Sequence, residues 1–71
     1  MNVWNKSQQI LAAYLKAVEV EIGWEEKLTD AYHRGDEFET RVYAYRHGIA
    51  AMNRARIAKQ YLAQQEARKR A

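Results

Sequence analysis

The sequence predicts an all-α protein: an antiparallel two-helix hairpin that dimerises into a four-helix bundle. Three observations carry that expectation. Ala, Glu, Lys, Leu and Arg supply 35 of the 71 residues and proline is absent, which is the composition of long helices. Apolar residues recur at three- and four-residue steps on both sides of a single break at Arg34-Gly35-Asp36. The apolar arc on each side is also wider than one neighbouring helix can cover.

The first helix is predicted over about residues 5 to 33, with Ser7 as a helix-start residue. Trp4, Leu11, Leu15, Val18 and Ile22, flanked by Ile10, Tyr14, Leu28 and Tyr32, form the stripe expected to be the hairpin seam. Ala13, Ala17, Val20, Trp24 and Ala31 widen it. Glu25 interrupts this apolar face, and a tyrosine hydroxyl or an arginine of the second helix is its expected partner. A break near Gly23 is the alternative, which would convert the hairpin into a three-helix bundle.

The turn is expected at residues 34 to 36. Gly35 suits the positive φ of the first residue beyond a helix, and Asp36 suits the cap of the next, with Glu39 completing an acidic capping box. Arg34-Gly35-Asp36 is also the tripeptide by which matrix proteins engage cell-surface integrins. The capping roles already account for Gly35 and Asp36, so the stretch is read as a hinge and not as a receptor address.

The second helix is predicted over about residues 37 to 69. Phe38, Val42, Tyr45, Ile49 and Met52 form its expected inward face, beside a small-residue seam of Ala44, Gly48, Ala51, Ala55, Ala58 and Leu62. In the hairpin, residue i of the first helix should lie level with about residue 70 − i of the second. That register would align Glu19, Glu21, Glu25, Glu26 and Asp30 with Arg41, Arg46 and His47.

Composition narrows the function classes. The chain has no cysteine and no Cys/His ligand cluster, so neither disulfides nor a metal is expected to reinforce a core this small. Self-association is the remaining remedy. Neither a leader-like segment nor a long apolar run is visible, so a cytoplasmic protein with no membrane association is expected. No catalytic residue and no cofactor are expected: Ser7 is the only serine, and the three glycines are too far apart for a phosphate loop. Charge is uneven, −2 over residues 1 to 33 and +5 over residues 34 to 71, which places any anionic partner on the second helix.

The expected function is therefore a non-enzymatic helical interaction module, in the manner of the small accessory regulators or inhibitors that phages and plasmids carry. A protein partner is expected to contact Tyr43, Arg46, His47, Arg54, Ile57, Tyr61 and Arg68, a mixture of Tyr and Arg suited to binding hot spots. The competing account of that face is that Ile57 and Tyr61 belong to a twisted bundle core and the arginines to its rim. Val20, Trp24, Ala51, Ala55 and Leu62 are expected to mediate homodimerisation. Nucleic-acid binding through the basic second helix is the runner-up, and a subunit of a larger structural assembly comes third.

Overall fold

The computed structural model describes residues 6–70. Two α-helices account for almost all of them: α1 (Lys6–Arg34) and α2 (Glu37–Arg70), packed against each other as an antiparallel hairpin. The expected start at residue 5 and the seam residue Trp4 lie outside the described residues. Helix α1 runs through Gly23 without a break, so the three-helix alternative is not formed.

The turn is built from hydrogen bonds that the local sequence dictates. Gly35 has φ of 74°, and its N–H donates to the Tyr32 carbonyl at 3.1 Å while Asp36 N–H donates to the Ala31 carbonyl at 3.1 Å. This pair of bonds is the Schellman motif, which satisfies carbonyls left open at a helix C-terminus. Asp36 then starts α2: its Oδ1 accepts the Glu39 N–H at 2.9 Å, and its carbonyl accepts the Thr40 N–H at 2.9 Å. The expected capping box is only half formed. Because Asp36 N–H is already held by Ala31, the Glu39 carboxylate turns instead to the Arg34 Nη2 at 3.1 Å and the Tyr43 hydroxyl at 3.0 Å.

The seam has a strict seven-residue rhythm. On α1 the series Ser7, Tyr14, Glu21, Leu28 and the series Ile10, Ala17, Trp24, Ala31 are all buried or half-buried. On α2 the same holds for Tyr43, Ala50, Ile57, Gln64 and for Thr40, His47, Arg54, Tyr61. A repeat of 3.5 residues per turn is that of a left-handed coiled coil. The expected seams are corrected accordingly. On α1 the contact line is rotated toward Ala17, Glu21, Trp24 and Ala31, leaving Leu15 and Ile22 exposed. On α2 Phe38, Val42, Tyr45, Ile49 and Met52 are exposed as well. Small side chains explain the choice: Ala17, Ala31 and Ala50 are the buried apolar residues, and they let the two helices approach closely where larger ones would hold them apart.

The result is a thin body. Its extents are 53 × 26 × 13 Å, and the shortest is close to the ~10–12 Å diameter of one helix. Its radius of gyration of 16.2 Å exceeds the ~11 Å expected of a compact domain of this length. Among the described residues no large side chain is fully buried.

Candidate interaction surface

Inside the seam lies a polar cluster. Glu21 projects from the middle of α1 into the contact line and accepts a hydrogen bond from Arg54 Nε. The side chain of Glu21 is only 17% exposed, so this pair is more enclosed than the other arginine–carboxylate pairs among the described residues. The bond to Glu21 raises the Arg54 pKa above its ordinary value, reinforced by the charge of Glu21 and opposed by partial burial. His47, two turns before Arg54 on the same line, presents Nε2 to Glu21 at 3.8 Å and to Glu25 at 3.9 Å. Those distances exceed hydrogen-bond reach, and Nε2 has no hydrogen-bond partner.

Toward the turn the cluster grades into aromatics and charges. Trp24 meets Tyr43 with ring centroids 6.0 Å apart, and the Arg46 guanidinium stands 6.0 Å from the Trp24 ring. The Tyr43 hydroxyl donates to Glu39, which pushes the tyrosine pKa up. Arg34 bridges Asp30 at 2.9 Å and Glu39 at 3.1 Å and stands 3.9 Å from Asp36, so it ties the end of α1 to the start of α2. Its own pKa is raised, chiefly by the bond to Asp30.

These contacts redistribute the expected sites. Tyr43, His47, Arg54, Ile57 and Tyr61 are half-buried on the side of α2 that meets α1, with Arg54 inside the contact line and not at its rim. Arg46 flanks it, and Arg68 is exposed near the end of α2. Of the expected dimer residues, Trp24 is part of the seam and Ala51 is half-buried, while Val20, Ala55 and Leu62 are exposed. Of the expected alignments, Glu21 and Glu25 do lie beside His47, at 3.8 and 3.9 Å. Glu25 faces that imidazole and not a tyrosine or arginine, Asp30 pairs with Arg34 on its own helix, and Glu19 approaches Lys16 at 4.0 Å. The register is close to that expected, with Trp24 beside Arg46 and Glu21 between His47 and Arg54.

What remains outside is apolar. Leu11, Tyr14, Ala58, Tyr61 and Leu62 line a shallow groove between the helices. Steps of three and four residues continue the same two helix faces beyond the groove, through Leu15, Val18 and Ile22 on α1 and through Ala55 and Ala51 on α2. Large side chains thus border the α1 wall, and past Tyr61 and Leu62 small ones border the α2 wall. A second apolar stripe, Phe38, Val42, Tyr45, Ile49 and Met52, runs along the back of α2. Among the described residues no group of three or more His, Cys, Asp or Glu side chains is placed to hold a metal ion, and no helix is long and apolar enough to cross a membrane.

No family model, curated protein or solved structure matches this chain. The surface itself therefore carries the functional reading.

Proposed function

We propose that this chain is a non-enzymatic helical interaction module that works as a homodimer, two hairpins closing into a four-helix bundle, and binds a protein partner through the faces left outside. The observation that carries the reading is the surface of the single hairpin. It exposes 5825 Å², about 1,200 Å² more than a compact monomer of this mass would, and burying that excess on each of two copies falls in the range of obligate dimers.

The groove between the helices is the face best suited to the second copy. A twofold axis through it sets α1 of one copy over α2 of its partner. Leu11, Leu15, Val18 and Ile22 then meet the small side chains Ala51, Ala55 and Ala58, with Leu62 at the end of the groove. Large-to-small pairing is how facing helix surfaces interdigitate at native density. This keeps Ala51, Ala55 and Leu62 among the dimer residues and replaces Val20 and Trp24 with the leucines and isoleucine of α1.

Sedimentation velocity tests it. The expected result is a particle of two chains at micromolar concentration, which Leu15→Glu with Leu62→Glu dissociates. A monomer that unfolds cooperatively on its own would overturn the bundle.

A further inference from the structure

The stripe on the back of α2 lies away from both the seam and the groove. Phe38, Tyr45 and Met52 are spaced seven residues apart and are 76%, 69% and 74% exposed. Val42 and Ile49, also seven apart, interleave with them at steps of four and three. This is the a/d rhythm of a coiled-coil seam. Helix α2 therefore carries two such seams back to back, and only the inner one has a helix against it.

Beyond its first turn, where Glu37 and Glu39 stand on either side of Phe38 and Arg34 holds Glu39, the flanks of the stripe carry only positive charge. Arg41, Arg46, Arg56 and Lys59 border or continue it, and no Asp or Glu occurs between Glu39 and Glu66. Among the described residues, Arg41 and Lys59 have no ion-pair partner, and Arg56 donates to the neutral Asn53 side chain at 2.7 Å. An apolar seam with uncompensated cations beside it is complementary to a helix whose own seam is flanked by carboxylates.

We infer that the outward stripe of α2 is the docking seam for an acidic amphipathic helix of another protein, with Leu or Ile at three- and four-residue spacing and Glu or Asp beside them. From Phe38 to Met52 the stripe spans ~21 Å, so about two heptads of the partner are engaged. Two apolar positions per seven make a narrow line, unlike the broad apolar face with which a helix lies in a membrane surface. Five large apolar side chains at its centre also distinguish it from the continuous basic stripe of a groove-binding helix. The inference rests on the reading of the chain as an interaction module and does not require the dimer.

The test uses the full chain, labelled with ¹⁵N and titrated with a synthetic peptide of three heptads bearing Leu at the seam positions and Glu on the flanks. The amide signals of residues 38–56 are expected to shift, with binding weakening as salt rises. Replacing Glu by Lys in the peptide, or Tyr45→Ala with Met52→Ala in the chain, is expected to lower affinity at least about tenfold. The double variant should keep its helicity and its sedimentation coefficient. Absence of binding, equal affinity for the Lys peptide, or shifts confined to the Leu11 and Leu62 groove would overturn the assignment. So would tighter binding to duplex DNA or to phosphatidylserine vesicles than to the peptide, or growth beyond two chains that the double variant removes. A monomeric chain that still binds the peptide overturns the bundle alone, and a dimer that ignores the peptide overturns the docking seam alone.

Discussion

At the scale of single residues, the turn explains the most. Gly35 sits at φ of 74°, and a Cβ there would meet no atom within 4 Å, so the obstacle to substitution is backbone conformation and not space. Gly35→Ala is expected to cost about 1–2 kcal/mol, the penalty of the left-handed region for an L-residue. Gly35→Val should cost more, because a β-branched side chain tolerates that region least; chemical denaturation of the two variants measures the order. Asp36 makes a pH-dependent contribution. The Glu39 N–H lowers its pKa in the folded chain, followed by the Glu39 side chain, with the Arg34 charge adding to the shift and desolvation opposing it. A depressed carboxylate stabilises the fold above its unfolded pKa of ~3.9 and loses that stabilisation as pH falls through the lower folded value. Asp36→Asn keeps a capping oxygen and removes the titration. The melting-temperature gap between wild type and this variant should therefore be constant above about pH 5 and narrow in acid. The Arg-Gly-Asp order has its own local explanation, since Arg34 is held by Asp30 and Glu39 and Asp36 by the start of α2.

At the scale of the helices, each carries more than one contact line, and the most apolar one is not the line that closes the hairpin. Ala17, Ala31 and Ala50 set the close approach, and Glu21 with Arg54 occupies the line between them. Removing one member of such a pair leaves the other half-buried without its partner, whereas replacing both with apolar groups removes the desolvation cost too. Glu21→Leu and Arg54→Met are each expected to lower the melting temperature by roughly 4–8 °C, the scale of one lost interaction in a domain this small. The double variant should recover most of that loss, and a double-mutant cycle reads the coupling. Arg54→Glu with Tyr61→Ala sets like charges against each other in the seam, so it is expected to reduce helicity along with any binding.

The whole molecule is a single layer of two helices with its large apolar side chains outside. Such a body gains too little burial to offset the entropy of ordering two long helices, so its stability should depend on what covers those faces. If a second copy covers one of them, the melting temperature rises with protein concentration. Thermal melts across a hundredfold range of concentration are expected to show that rise, and Leu15→Glu with Leu62→Glu is expected to abolish it. The basic sign of α2 persists at this scale. Arg54 is neutralised within the hairpin by Glu21, which leaves Arg41, Arg46, Arg56 and Lys59, with Arg68 and Lys69 near the end of α2, to set the field outside.

The sequence by itself determined the two helices, the hinge between them and their approximate register. Those features depend on local chemistry: a glycine where φ must be positive, an aspartate where a helix must be capped, and apolar residues recurring at helical steps. Rotation of each helix about its own axis was decided only in the tertiary structure. Helices with apolar residues on several faces can pair along any of them, and the outcome depends on which surfaces approach most closely and which polar groups find partners there. The series through Tyr43, His47, Arg54 and Tyr61 was visible in the sequence as a coherent face. Only the position of Glu21 opposite Arg54, with alanines above and below, turned that face inward and left Phe38, Tyr45 and Met52 outside.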